Sequence, residues 1–408
     1  MLQAQEIALL RHIYHWQPVT RRELSVRLGL SPARISALVG PLLTARLLSE
    51  EECPAARPGR PATALRLNPT AGIVAGLDVG GQETWGALVD FSGRVVHSRS
   101  QTSQTAMARD AILDTIAEMV RGLCRHAHVS PADLLGLGVG LQGIVDTHSG
   151  TVLGWPNTPA WAPAWTGVDV RAELAQRLGV SLIVVDDSVR AMATAARRLG
   201  MAGASDSFLY VHIGEGIGGA LVTGGCAYRS ATGIAAELGH VTAIEGGPSC
   251  SCGNRGCLEV VASAPALLRR AHERLQESWL VSSLREAQER GQLSLPVLLE
   301  AAGAGDKLAF QLLDEAGSLT GRVIATALNI VGVDLVILGG PLVRDGGIIL
   351  DAVQRQVRLR ALAPVSRQVR IAYDQQGDHA GAHEQAYRAF APQALFASPA
   401  RLQALTGK

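Results

Sequence analysis

The chain has 408 residues, 47% hydrophobic and 18% charged, which supplies sizeable cores for two or three domains and excludes a disordered protein. No apolar run approaches the roughly 20 residues that cross a bilayer, and MLQAQEIALLRHIYHW lacks a cleavable signal's basic flank and small-residue cleavage site, so a cytoplasmic protein with no membrane partner is expected. Net charge is +1, but residues 1–70 hold nine Arg and no Lys against five Glu, a balance of +4 that leaves −3 on the rest and hints at nucleic-acid contact by the head alone.

The first element predicted is an amphipathic helix over about residues 3–15, with Ile7, Leu10, Ile13 and Tyr14 on its apolar face. Thr20 and Glu23 form a capping-box pattern opening a helix from Arg21 to Leu28, and Gly29 supplies its stop. Ser31-Pro32 begins a third helix that gathers Ile35, Leu38, Val39, Leu42 and Leu43 on one face. Its opposite face offers Ser31, Ala33, Arg34 and Ser36 near the start, where a recognition helix reaches base edges in the major groove. A Pro-rich tip bearing Arg57 and Arg60, with a return strand from Ala64 to Leu67, reads as a β-wing whose arginines can reach phosphate or minor groove. Together these elements describe a winged helix-turn-helix. The bland alternative is a three-helix packing or dimerisation module, with Arg57 and Arg60 solvating a linker.

From Ile73 the pattern becomes α/β. A short apolar strand, Ile73 to Asp78, turns at Val79-Gly80-Gly81 into a second strand from Trp85 to Asp90. Leu135 to Leu141 runs into Gln142-Gly143 and Asp146, followed by Trp155-Pro156-Asn157. Leu182 to Val185 ends in Asp186-Asp187 ahead of a helix, and acids beyond the carboxyl end of a strand are site candidates in such sheets. A second glycine-rich segment, Gly214-Glu215-Gly216, again follows a strand. Cys250, Cys252 and Cys257 fall within eight residues, a clustering that favours metal over a disulfide scaffold in a chain of this kind.

Glu237-Leu238-Gly239-His240 followed by Cys250-Ser251-Cys252-Gly253-Asn254-Arg255-Gly256-Cys257-Leu258-Glu259 carries the most specific signal, E-x-G-H with C-x-C-G-x-x-G-C-x-E. On these residues the chain over 71–390 resembles the ROK family (repressors, open reading frames, kinases), and with its head it is similar to the family's sugar-responsive repressors. The resemblance implies an α/β architecture in which a winged helix-turn-helix over 1–70 precedes a two-lobed actin/hexokinase-like ROK domain. Lobe 1 would take 71–190 plus 379–390, through a closing helix from Gly381 to Phe390, and lobe 2 would take 191–378. His240, Cys250, Cys252 and Cys257 make a Cys₃His set suited to one structural Zn²⁺, with Gly253 and Gly256 letting the loop turn tightly. The dull reading is free thiols with His240 in a core. Carried over by position, Asn157, Asp187, Glu237, His240 and Glu259 would bind a sugar through charge-assisted bonds to its hydroxyls. Trp155, Trp161 and Trp165 could line the pocket mouth or simply fill a core.

The resemblance also separates regulator from kinase. In the family's kinases the counterpart of Asp187 is the general base and the first phosphate motif is D-x-G-G-T-K; here Gln82-Glu83 follow Gly81. Glu215 replaces a small residue of the second loop, and Asp186 stands where Asn is usual. Carboxylates near nucleotide phosphates repel them by roughly 1–4 kcal/mol each. The expectation is a non-enzymatic, sugar-responsive regulator that leaves palindromic double-stranded operator DNA when a monosaccharide binds, acting as a homodimer or dimer of dimers. An ATP-dependent sugar kinase, alone or bifunctional, is the alternative. The tail from Ala391 to Lys408 suggests no role.

Overall fold

A computed structural model describes residues 4–53, 62–80, 83–102, 109–154, 165–198, 201–203, 205–277, 281–343 and 347–374. Helix α1 (Ala4–Trp16) buries Ile7, Leu10, Ile13 and Tyr14 along one stripe, as its periodicity requires. Strand β1 (Val19–Thr20) leads into α2 (Arg21–Leu28). The capping box forms: Glu23 N donates to Thr20 Oγ1 at 3.2 Å, and Thr20 N donates to Glu23 Oε2 at 2.8 Å. Gly29 then closes the helix in the left-handed conformation. Helix α3 (Pro32–Thr44), capped by Ser31, buries Ile35, Leu38, Val39 and Leu42 and leaves Leu43 half-buried. Strands β2 (Leu48–Cys53) and β3 (Ala62–Leu67) pair antiparallel, with β1 on the far edge of β3. The wing tip with Arg57 and Arg60 lies outside the described residues.

The next unit opens with the meander β4 (Ile73–Val79), β5 (Glu83–Asp90) and β6 (Val95–Thr102). Helix α4 (Arg109–His126) crosses to β7 (Gly136–Leu141). A small separate sheet of β8 (Ile144–Asp146), β9 (Thr151–Gly154) and β10 (Val168–Asp169) follows, then α5 (Val170–Leu178) and β11 (Ile183–Asp187). The main sheet has the order β11-β7-β4-β5-β6, its first three strands parallel.

Both faces of this sheet are covered. Ala75, Leu77 and Leu88 pack on α4 and α5 through Leu113, Ile116 and Leu174. Their neighbours Val74, Val89 and Phe91 point the other way, as alternation in a strand dictates, into one core with Leu10, Ile35 and Leu65 of the head. At the seam a side chain on Gly93 would meet the Tyr14 ring at 2.8 Å. Gln17 ties three pieces together: its Nε2 donates to Ser92 O at 2.6 Å and its Oε1 accepts from Leu67 N at 2.8 Å.

The second unit begins with α6 (Ser188–Arg198), then β12 (Phe208–Ile213), β13 (Ile217–Thr223) and β14 (Cys226–Ala227). After a long loop come α7 (Leu258–Ala262), α8 (Ala264–Leu275), α9 (Leu284–Glu289), α10 (Leu295–Gly303) and the long α11 (Lys307–Val331). Strand β15 (Leu335–Gly339), α12 (Gly347–Arg360), α13 (Ala363–Gln368) and β16 (Arg370–Tyr373) complete it. Its sheet runs β14-β13-β12-β15-β16; α6 covers one face through Ala193 and Ala196, and α7, α8, α11 and α12 fill the other. The expected closing helix and the tail lie outside the described residues, among which no helix is long and apolar enough to cross a membrane.

Candidate functional site: a buried acid cluster beside a thiol–imidazole cluster

Parallel strands β4, β7 and β11 finish level with one another, so Asp187 emerges beside Leu141 and Val79 at the carboxyl edge of the sheet. There Asp187 caps α6: its Oδ1 accepts from Val189 N at 2.7 Å and from Arg190 N at 3.3 Å. Its neighbour Asp186 faces elsewhere. At 1% exposure it accepts from Arg190 Nε at 2.7 Å and from Arg229 Nη2, in the segment after β14, at 2.8 Å. Asp186 is therefore consumed by two guanidiniums. A second acid beneath the edge, the fully buried Asp78, accepts from Ser188 Oγ.

The opposite wall comes from the segment between β14 and α7. His148 Nε2 lies 3.4 Å from Ser230 O, which holds this segment against the small sheet of the first unit. Ala236 then takes a left-handed φ of 59° to turn the chain into Glu237 and a short 3₁₀ turn, Leu238–His240. Glu259, in the first turn of α7, accepts from Ile217 N at 3.0 Å through its Oε2. That same oxygen would lie 2.7 Å from any side chain at Gly216.

Electrostatics joins these groups. Burial lifts Glu237 to about 8, with the Asp187 and Glu259 charges adding to the lift and Arg190 opposing it. Burial likewise lifts Asp187 to about 6, against Arg190 and with Asp186. Glu259 rises to about 7 by burial, opposed by its bond from Ile217 N–H. The site thus gathers Asp187, Glu237 and Glu259, with His240 three residues from Glu237. Asn157, Trp155 and Trp161 lie outside the described residues, while Trp165 is buried in the core of the first unit. Sequence reasoning missed Arg190 and Arg229. The only signal for Arg190 was its position, three residues after Asp187 on a helix.

His240, Cys250, Cys252 and Cys257 converge, their ligand atoms all within 4.8 Å of one another. Cys252 Sγ and Cys257 Sγ are 3.7 Å apart, and Cys250 Sγ lies 3.6 Å from His240 Nδ1. A tetrahedral ion with usual bond lengths needs edges of about 3.8 Å between sulfurs and about 3.6 Å from sulfur to nitrogen. The donor set and spacing therefore fit a metal ion. Gly256 is needed here: its φ is +65° and a side chain would come 1.7 Å from Ile244 O. Burial pushes the Cys257 thiol up to about 12, so without a cation it stays protonated.

On the head, Ser31, Ala33, Arg34 and Ser36 are all exposed along one side of α3. Arg34 Nη2 donates to Gln5 Oε1 of α1, which orients it beside that face. Glu83 is exposed at the start of β5, and burial raises the half-buried Glu215. Gln82 lies outside the described residues.

Residues 74–389 match the ROK family. The chain belongs to that family. The xylose repressor of Bacillus subtilis is 26% identical over 92% of this chain and 91% of its own length. The Escherichia coli DNA-binding transcriptional repressor Mlc is 29% identical over 92% of this chain and 91% of its own. The glucokinase of Thermotoga maritima is 31% identical over 69% of this chain and 86% of its own. The crystal structure of a ROK family transcriptional regulator homologous to Mlc superposes with a TM-score of 0.80 over 99% of this chain and 98% of its own, at 23% identity. The architecture is thus the two-lobed actin/hexokinase-like one, with a head in front. The two repressors match over 92% of the chain, whereas the kinase matches over 69%.

Proposed function

We propose that this ROK protein is a sugar-responsive transcriptional repressor. The observation that carries the reading is the coexistence, in one chain, of an exposed recognition-helix face and a buried cluster of acids that can bind hydroxyls. Ser31, Ala33, Arg34 and Ser36 would meet base edges, and Arg57 and Arg60 the backbone or minor groove. The partner would be a palindromic operator, read by the two heads of a homodimer or by a dimer of dimers.

A monosaccharide would bind between Asp187, Glu237, His240 and Glu259, with Asn157 as a further ligand. Carboxylates suit this task because each accepts from adjacent hydroxyls, and charge-assisted bonds are the stronger kind. One lobe, 71–190 with 379–390, would contribute Asn157 and Asp187; the other, 191–378, would contribute Glu237, His240 and Glu259. A sugar that touches both favours a closed arrangement. Because the head shares its core with the first sheet, a change of lobe angle carries the head with it. Half-sites lie one helical turn or a multiple apart, so a small change in head spacing costs affinity.

Three thiolates and one imidazole suit Zn²⁺, which would fix the loop structurally. His240 Nδ1 faces Cys250 Sγ, leaving Nε2–H to donate to sugar. Glu237 and Glu259 flank the ligands, so the loop that the four residues close also positions both carboxylates. We read the protein as a non-kinase, since Gln82, Glu83 and Glu215 replace residues of the phosphate-binding motifs.

The test is to capture fragmented genomic DNA on the purified protein, alone and with D-xylose, D-glucose and N-acetylglucosamine. Enrichment of a palindrome that one sugar abolishes is expected. No enrichment under any condition, together with ATP-dependent phosphorylation of a sugar, would establish the kinase instead.

A further inference from the structure

Arg190 is the side chain of the acid cluster that the proposed function leaves without a task. It is 2% exposed, and only its Nε is engaged, by Asp186. Its Nη1 and Nη2 are buried without a hydrogen-bond partner in the structure. A guanidinium offers donors only, and a buried donor left unmade is costly, so a native protein normally gives it something to do. Arg190 follows Asp187 in the first turn of α6, and its charge is felt by both Asp187 and Glu237. Its backbone N–H donates to Asp187 Oδ1 at 3.3 Å, so the side chain is rooted beside one of the acids that would hold the sugar.

We propose that Arg190 is a further sugar-contacting residue that sets specificity, donating through its free Nη groups to one hydroxyl oxygen whose own hydrogen goes to a carboxylate of the cluster. The inference rests on the sugar-binding reading of this site. The charge balance says what kind of ligand fits. Asp186 is already matched by Arg190 and Arg229, and burial lifts Glu237 to about 8, so the cluster holds no large excess of either charge for an ionic sugar. A neutral polyol supplies what both groups need, because a hydroxyl accepts from a guanidinium and donates to a carboxylate at once. An ionised carboxylate can only accept, whereas the guanidinium donates whatever the protonation of its neighbours. Arg190 would thus be the donor that recognises the lone pairs of one particular hydroxyl, and a sugar lacking that hydroxyl would leave the guanidinium unpaired again. Sites of this type reject the deoxy analogue strongly.

The experiment is calorimetric titration of the intact protein with D-xylose, D-glucose, N-acetylglucosamine and their monodeoxy analogues. Wild type is compared with Arg190→Lys, Arg190→Met and the double variant Asp186→Asn/Arg190→Met, which removes the buried Asp186 charge together with one of its two guanidinium partners. Losing the contact should weaken the bound sugar by about tenfold to a hundredfold in both Met variants. Lysine should recover part of that loss. One monodeoxy sugar should suffer the same loss on wild type yet bind the Met variants as well as the parent sugar does. A folded double variant that binds the parent sugar within about twofold of wild type would overturn the assignment, as would deoxy penalties that the substitutions leave unchanged. If wild type selects a DNA palindrome but binds none of D-xylose, D-glucose and N-acetylglucosamine, the sugar reading of the site fails first, and the Arg190 assignment with it.

Discussion

Ala236 carries a φ of 59°, a region that disfavours any residue with a Cβ, immediately before Glu237. The strain sits where the chain must turn sharply to aim a carboxylate into the cluster, a common location for it. Ala236→Gly should therefore raise the unfolding free energy by up to about 1 kcal/mol, read as a higher urea midpoint. A drop of similar size would show that the turn is not strained. At Asp187 burial raises the side chain to about 6. The unfolded aspartate releases its proton near about 4, so the folded state holds it longer. The stability it contributes is then fully present below about 4 and is lost as pH rises through about 6. Sugar-free protein should lose stability between about pH 4 and 6 on this account, and Asp187→Asn should flatten that part of the slope. An identical slope in the variant would assign the dependence to other groups.

Among elements, α3 and the cysteine loop make separable predictions. Arg34→Ala should weaken binding to the selected operator by about 1–3 kcal/mol while changing affinity for random DNA much less, as measured by fluorescence anisotropy. An equal loss on both would make Arg34 a phosphate contact. Cys252→Ser should abolish stoichiometric zinc in metal analysis and, with it, the sugar response, because Glu237 and Glu259 flank the ligands. A zinc-free, folded variant with full sugar affinity would detach the two sites. These elements were legible in the sequence where their causes are local. Thr20 with Glu23, Gly29, and Ser31-Pro32 each fix a helix end within four residues of chain. The cysteine spacing likewise needs only a short loop to close. Arg229 was not legible, because it meets Asp186 across 43 positions and from the other lobe. The same contact changes the meaning of Asp186, which reads in sequence as a site acid and in the structure as the anchor of two guanidiniums.

At the scale of the whole molecule, the head and the first sheet are packed as one body. The sequence showed a basic segment ending near residue 70 and offered no sign of this seam. Strand β4, with Ile73-Val74-Ala75-Gly76-Leu77, reads as a continuous apolar run, which signals a strand covered on both faces but not what covers it. Half of the answer is the head. Gln17 is a polar link across the seam, and Gln17→Leu would remove its bonds to Ser92 O and Leu67 N while leaving the apolar contacts. The variant should keep both its DNA site and its sugar affinity but lose at least about threefold of the sugar-induced change in DNA affinity. Undiminished release in that variant would locate the coupling elsewhere.

The shared core also bears on how far such a protein can be taken apart. Val74, Val89 and Phe91 have the head as their shelter. A sensor cut loose after residue 70 would bare an apolar sheet face and tend to aggregate, and a head expressed alone would lose part of its own interior. Swapping a foreign reader onto this sensor, or this reader onto another, would then require transplanting the seam as well, with Tyr14, Gln17 and the turn at Gly93 moving together. The chain is less a pair of interchangeable modules than one folding unit with two addresses.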